Sequence, residues 1–290
     1  MKHFTHLPLY ILHLTFCILF LSSCEKPLTT EEEETSESRG NVTVSIFQLG
    51  QTPFAEMSRT ASADACTRLN FAIYQDGTRV KQVNQMFGDA TFGTATFQLD
   101  EGTYQLVAVA HSCTKNPTMT NPQKIQFTNA GGFTDTFLYQ QQLTITDQPQ
   151  RLSLSLDRVA SMCRFVITDA IPAKVKKLHF YYTGGSGALD ANTGLGCVNS
   201  KQSVFFDVPS GQKQFDLYTF LHDTTGVIHL TVTAHDADDN VMIEHEFDVP
   251  MTRRQITWLS GPFFSGSATE PLVTDITINT EWEGESYFTF

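Results

Sequence analysis

Arg151-Leu152-Ser153-Leu154-Ser155-Leu156-Asp157 sets three leucines against two serines and an aspartate in strict alternation. Successive side chains of a strand point to opposite faces, so the leucines share one face and the polar residues the other. The stretch reads as a strand with one buried and one wet face.

The same period runs outward in both directions. Towards the N-terminus, residues 41–49 (NVTVSIFQL) place Val42, Val44 and Ile46 against Thr43, Ser45 and Phe47. Leu69, Phe71 and Ile73 alternate, Gln75-Asp76-Gly77-Thr78 supplies a turn, and Val80 and Val83 continue on a returning strand. Asp-Gly between apolar runs is a strong hairpin signal, because both central residues of the favoured turn need positive φ. Strands are predicted over 94–99, 103–110 and 136–146. Towards the C-terminus, strands are predicted over 163–168, 175–182, 204–208, 214–221, 227–234, 241–249, 255–259 and 275–282, with 287–290 a further candidate. The Gly-rich run 183–196 (TGGSGALDANTGLG) reads as a loop. Short strands at regular spacing point to β-sandwiches. The chain is therefore expected to be all-β. Its 290 residues fit two sandwich domains, 41–157 and 158–290, joined near 157–162.

Residues 1–23 stand apart. A short start with Lys2 and His3 leads into an apolar core from Leu7 to Leu21, the pattern of a signal peptide. It is short for a membrane span, which needs about 20 apolar residues. Its end, Leu21-Ser22-Ser23-Cys24, resembles the bacterial lipobox, in which small residues admit the peptidase and the thiol accepts a diacylglycerol. Cleavage is expected between Ser23 and Cys24, with diacylglycerol and N-acyl chains on Cys24. Several acyl chains would hold firmly, at about 0.8 kcal/mol per buried methylene. Residues 24–40 follow as an acidic tether (EKPLTTEEEETSESRG after Cys24), without apolar period and reaching at most about 50 Å. The acidic cluster resembles the surface-export signal of Bacteroidetes lipoproteins.

Composition narrows the function classes. Apolar residues make up 41% and charged residues 17%, which suits neither a disordered chain nor a coiled coil. Nineteen Lys and Arg against 31 Asp and Glu give a net charge of −12, with no basic run for phosphate, so no nucleic-acid partner is expected. Beyond Cys17 and Cys24, four cysteines remain: Cys66, Cys113, Cys163 and Cys197. An oxidising export route permits disulfides, but four cysteines allow three pairings and no spacing chooses among them. Cys163, inside an apolar strand, reads as a small core hydrophobe. No Cys or His spacing suggests zinc.

His222-Asp223 and His235-Asp236 could pair a base with an orienting acid, but no nucleophile turn accompanies them. Asp236-Ala237-Asp238-Asp239-Asn240 lacks the glycine and the terminal Glu of a calcium loop and reads as a polar hairpin turn. Gly184-Gly185-Ser186-Gly187 leads into no helix and no Lys-Ser or Lys-Thr, so it is not a phosphate loop. The reading is non-enzymatic, with no metal and no soluble cofactor. Trp258 and Trp282, with Tyr181 and Tyr182, are candidates for a sugar-stacking platform, although aromatics in apolar strands are usually core.

Several segments together resemble one family. Cys66-Thr67-Arg68-Leu69-Asn70-Phe71-Ala72-Ile73-Tyr74, Gly102-Thr103-Tyr104-Gln105-Leu106-Val107 and Leu154-Ser155-Leu156-Asp157-Arg158-Val159-Ala160 are three of them. Phe215-Asp216-Leu217-Tyr218-Thr219-Phe220-Leu221 and Gln255-Ile256-Thr257-Trp258-Leu259-Ser260-Gly261 are two more. With the lipobox leader, they resemble the FimB-type fimbrial anchor lipoproteins of Bacteroidales, the fimbrillin-associated anchors of type V pili. The resemblance implies two tandem transthyretin-like, Greek-key sandwiches and outer-membrane attachment through Cys24. It also implies fimbrial subunits as partners, docked by strand exchange in a role in adhesion. An open sheet edge carries unpaired backbone groups, and a donated strand pairs them while its alternate side chains fill pockets. In polymerising relatives an Arg-directed protease opens the groove, and Arg39, Arg59 and Arg68 match by residue type alone. The competing expectation is a surface glycan-binding lipoprotein of a polysaccharide-uptake system, using Trp258 or Trp282.

Overall fold

The computed structural model describes residues 41–49, 52–53, 66–129, 132–208, 211–265, 275–277 and 284–289. Every regular element among them is a strand, so the chain is all-β there. Gly40–Phe290 forms one compact unit. The first half supplies β1 (Val42–Leu49), β2 (Thr52–Pro53), β3 (Arg68–Gln75), β4 (Thr78–Met86) and β5 (Thr94–Phe97). β6 (Gly102–His111), β7 (Thr118–Asn121), β8 (Lys124–Gln126), β9 (Thr136–Ile145) and β10 (Gln150–Arg158) follow.

These strands, without β7 and β8, run in the order β2–β1–β10–β9–β6–β3–β4, with β5 also on β1. The path folds into two layers at β10. That strand pairs with β1 from Gln150 to Leu156 and with β9 only at Asp157 and Arg158. The alternation that opened the sequence reading explains the fold: Leu154 and Leu156 are fully buried, while Ser153, Ser155 and Asp157 face water. The two leucines join Val42, Val44 and Ile46 of β1 against Leu69, Phe71 and Ile73 of β3 and Leu106 of β6 in one core between the layers. The β3–β4 turn is the predicted Asp76-Gly77, at φ 50° and 76°, as a tight two-residue hairpin requires.

The second half supplies β11 (Ser161–Ile167), β12 (Lys177–Gly185), β13 (Ala188–Asp190), β14 (Leu195–Gly196), β15 (Ser200–Asp207) and β16 (Gln214–Thr219). β17 (Thr225–His235), β18 (Val241–Thr252), β19 (Gln255–Gly261), β20 (Asp275–Thr277) and β21 (Gly284–Thr289) complete the set. One sheet has the order β16–β11–β19–β21–β20 and the other β15–β12–β17–β18. Phe165, Phe215 and Leu259 of the first meet Phe180, Leu230 and Val232 of the second in a separate buried core. Phe165 and Phe180 meet edge to face at 5.5 Å, a geometry aromatic pairs favour.

The run 183–196, expected as a loop, is partly sheet. Thr183 to Gly185 end β12, and β13 and β14 lie beyond. The glycines serve close approach. A Cβ on Gly184, which sits at φ +88°, would lie 2.2 Å from the Val227 carbonyl oxygen, and one on Gly185 would lie 1.9 Å from Thr219 Oγ1. β13 then pairs with β8 through Leu189–Ile125 and Ala188–Gln126, giving a fourth sheet, β14–β13–β8–β7. This sheet draws strands from both halves. Beneath it, Phe220 packs on Phe127 at 5.3 Å and on Phe133 at 5.8 Å. Tyr74, Val109, Val159 and Leu189 belong to the same junction core.

Cys66, Cys113 and Cys163 are buried and Cys197 is exposed, all four as free thiols. Burial pushes the Cys66 and Cys163 thiols up to about 12, so they stay protonated and behave as core hydrophobes.

Candidate assembly site

β1 is the first described strand and lies parallel to β10 on one side and antiparallel to β5 and β2 on the other. Its alternation buries Val42 and Val44 completely and Ile46 almost so. Burying one such side chain contributes roughly 1.5–3 kcal/mol. Asn41 fixes the entry to β1. Its Nδ2 donates to the Leu99 carbonyl at 2.6 Å, its Oδ1 accepts from the Leu99 N–H at 3.0 Å, and its carbonyl accepts from the Gln150 N–H at 2.8 Å.

β21 is the last described strand. It pairs in parallel with β19 from Gln255–Gly284 to Ser260–Thr289, and β20 pairs antiparallel on its far side. β19 is itself parallel to β11. Parallel neighbours cannot be joined by a tight hairpin and need a longer crossover. The start of that crossover is clamped. The Asp169 carboxylate accepts the N–H groups of Phe263 (3.0 Å), Phe264 (2.8 Å) and Ser265 (2.7 Å) and the Ser265 hydroxyl (2.9 Å). Burial alone would raise the Asp169 carboxyl; the Ser265 hydroxyl and the three amides outweigh it and hold it below the usual carboxylate range. Sequence reading passed over Asp169, since an aspartate after a strand looks like any loop residue.

Cys24, Ser23, Trp282, Arg39 and Arg59 lie outside the described residues. Arg68 opens β3, which is paired on both sides with β4 and β6, and its guanidinium donates to Asn116 Oδ1 and to the Thr114 carbonyl. Trp258 is half-buried in β19 beside Met162, Ile256 and Tyr218. The Arg164 guanidinium sits over its ring at 4.9 Å, held by Nε and Nη2 bonds of 2.7 and 2.8 Å to the two Asp216 oxygens. Tyr182 is buried, its hydroxyl donating to the Tyr218 carbonyl at 2.8 Å. Positions 94 apart in the chain give no sign that Arg164 and Trp258 meet; parallel pairing of β11 with β19, which sets Arg164 opposite Trp258, brings them together.

His222 and His229 are exposed, and His229 Nδ1 meets Asp248 Oδ1 at 2.5 Å across β17 and β18. The acidic turn closes on itself, with Asp236 Oδ1 accepting the N–H groups of Asp238 and Asn240 at 2.9 Å each. Among the described residues no group of three or more His, Cys, Asp or Glu could hold a metal ion, and no helix is long and apolar enough to cross a membrane.

Comparison with known proteins gives the arrangement its context. Among curated proteins, none matches the chain. A candidate adhesin from Bacteroides ovatus is 16% identical with a TM-score of 0.47, covering 71% of this chain and 82% of the other. A fimbrial assembly protein from Parabacteroides distasonis is 14% identical with a TM-score of 0.41, covering 85% and 97%. The fimbrial anchor protein Mfa2 from Porphyromonas gingivalis is 13% identical with a TM-score of 0.38, covering 70% and 80%. The family model of the fimbrillin-A associated anchor proteins Mfa1 and Mfa2 matches residues 42–287, from the first buried valine of β1 into β21. A match that spans both terminal strands and every sheet between them settles the kinship: the chain belongs to the fimbrillin-A associated anchor family.

Proposed function

We propose that the chain is a lipid-anchored structural component of a cell-surface fimbrium, an anchor or minor subunit that docks fimbrial subunits by strand exchange. Membership of the anchor family over residues 42–287 is the observation that carries this reading. In this reading two sandwich domains, 41–157 and 158–290, form the docking body, acyl chains on Cys24 hold it to the outer membrane, and residues 24–40 give reach. β1 follows the tether directly, so a load on the anchor is passed to a strand paired on both edges. The terminal strands β1 and β21 are ribs that a partner's strand could replace, because pairing is through backbone groups common to any sequence.

Deleting the gene in its native fimbriated host tests the role. Fibres are expected to be shed into the medium, and a Cys24→Ala copy is expected to be soluble and to leave them shed. Cell-bound fibres in unchanged number would sink the anchor role, and a membrane-bound Cys24→Ala protein would sink the lipid attachment.

A further inference from the structure

The loop between β4 and β5 turns apolar side chains to water. Met86 is 52% exposed and Phe87 39%. The backbone beneath them is held in that pose. Gln85, almost fully buried, donates from Nε2 to the carbonyls of Thr91 (2.9 Å) and Thr94 (2.7 Å), and its Oε1 accepts the Gly93 N–H at 3.0 Å. Asp89 Oδ2 accepts the Met86 N–H at 2.7 Å, and the Phe87 N–H donates to the Thr67 carbonyl at 2.8 Å. Phe87 stands edge to face with Phe92 at 5.7 Å, and Phe92 packs on the core between the layers. The result is a rooted apolar knob. Side chains on an ordered backbone lose little freedom on binding, and Phe and Met are enriched at the centre of protein interfaces.

The opposite shape lies in the second half. A cavity of about 360 Å³ opens between the β11–β12 loop and the β15–β16 loop. Its apolar lining includes Val175, a member of the second core, and Ile171 and Val208, which pack against that core. Lys176 and Lys213 line it too, and both are exposed. Lys176 Nζ donates to the Ala173 carbonyl at 2.9 Å and Lys213 Nζ to the Thr168 carbonyl at 3.3 Å. An ammonium carries three protons, so each lysine keeps two for an incoming acceptor. The size is at the small end for ligand cavities, the scale of one or two side chains. Its described lining comes entirely from the second half, so the knob of the same chain does not fill it.

We propose that the knob of one copy seats in the cavity of a second copy, with Phe87 against Ile171, Val175 and Val208 and Asp89 against Lys176 and Lys213. Charge selects this occupant. Asp89 is the only charged side chain from residue 82 to residue 98, and its Oδ1 is left over from the bond to Met86. The two lysines meet it with the opposite sign. The chain as a whole carries −12, so a second copy is repelled by most of the surface and steered to a basic rim. A bilayer suits the knob less well, because membrane-surface segments draw on Lys and Arg for anionic lipid and residues 82–98 contain neither. Knob and cavity are different patches, so the contact is head to tail. Each pair leaves one knob and one cavity open, and copies can line up in rows. A contact of so few side chains falls in the weak, transient class, with a dissociation constant of roughly 100 µM.

Sedimentation velocity of the full-length chain from about 1 to about 300 µM tests this. The mean mass is expected to rise with concentration. Phe87→Ser should weaken association about tenfold, the worth of burying one partly exposed ring. Lys176→Glu with Lys213→Glu changes only exposed side chains, so the thermal midpoint should hold while association is lost. The two variants are each expected to stay monomeric alone and to form dimers, but nothing larger, when mixed. That mixture has one intact knob and one intact cavity, on different chains. A mass independent of concentration, undiminished association in either variant, or a mixture that stays monomeric would each overturn the proposal. A monomer that binds phosphatidylglycerol vesicles through Phe87 would assign the knob to lipid and overturn it as well.

Discussion

His111 ends β6 with no exposed surface, its ring edge-on to Phe127 at 5.4 Å. Nδ1 accepts the Cys113 N–H at 3.0 Å, so the proton is on Nε2, which donates to Asn70 Oδ1 at 2.8 Å. Both nitrogens are used by the neutral ring, and burial, helped by the Arg68 charge, brings its pKa down from 6.5 to about 4. As pH falls, the unfolded chain therefore takes up the proton first. Stability is complete above about pH 6.5, declines between 6.5 and 4, and is level below. The loss over that window is expected to be roughly 3 kcal/mol. Urea unfolding at pH 7.5 and pH 4.5 measures it, and His111→Phe should start less stable but lose the slope that His111 contributes. An unchanged slope in that variant would mean other groups carry the pH response.

The second half depends on how its last elements are tied down. β19 is the strand on which β21 rests, and the Asp169 clamp fixes the turn that leaves β19. Hydrogen bonds to a charged acceptor contribute about 1.5–3 kcal/mol, so Asp169→Ala should destabilise the fold by an amount of that order. A carboxyl held below its usual range stabilises above the unfolded pKa and loses that contribution in acid, so the difference between Asp169→Ala and the parent should shrink at low pH. Hydrogen exchange should show the amides of Phe263, Phe264 and Ser265 losing protection in the variant. If those amides stay protected, the clamp is not what holds the turn.

Across the whole molecule, the two cores are joined by a third. The β8–β13 ladder, the Phe127–Phe133–Phe220 cluster and the Asn129 Nδ2 bond to the Lys201 carbonyl (2.7 Å) all cross between the halves. Arg158, where β10 gives way to β11, holds Asp135 through Nε (2.9 Å) and Nη2 (2.8 Å) and lies over Phe137 at 4.9 Å. Domain pairs joined by thin polar contacts move and melt separately, whereas a buried apolar junction couples them. The described body should therefore unfold in one transition. Phe220→Ala is expected to cost about 3–5 kcal/mol and to lower protection in β3 and β17 alike. Loss confined to β17, or two resolved transitions in the parent, would show the halves to be independent.

Local patterning determined the strands and their faces. Alternation over 151–157 and 41–49 named the buried residues Leu154, Leu156, Val42 and Val44, and Asp76-Gly77 named its own turn, because φ and side-chain direction are set by neighbours in sequence. Tertiary structure alone decided which strands pair. Alternation is identical for a strand with parallel or antiparallel neighbours, so nothing in 41–49 announced β10 as the partner of β1. β8, β13 and β14 are two or three residues long, too short for any period, and exist because packing of the halves brings their backbones together. Glycines 184 and 185 resembled loop residues for the same reason: the atoms that exclude a side chain, Val227 O and Thr219 Oγ1, are more than thirty residues away. A cavity at the junction follows suit, since its lining residues Gln140, Asn192 and Arg254 become neighbours only through packing of the halves that no single segment encodes.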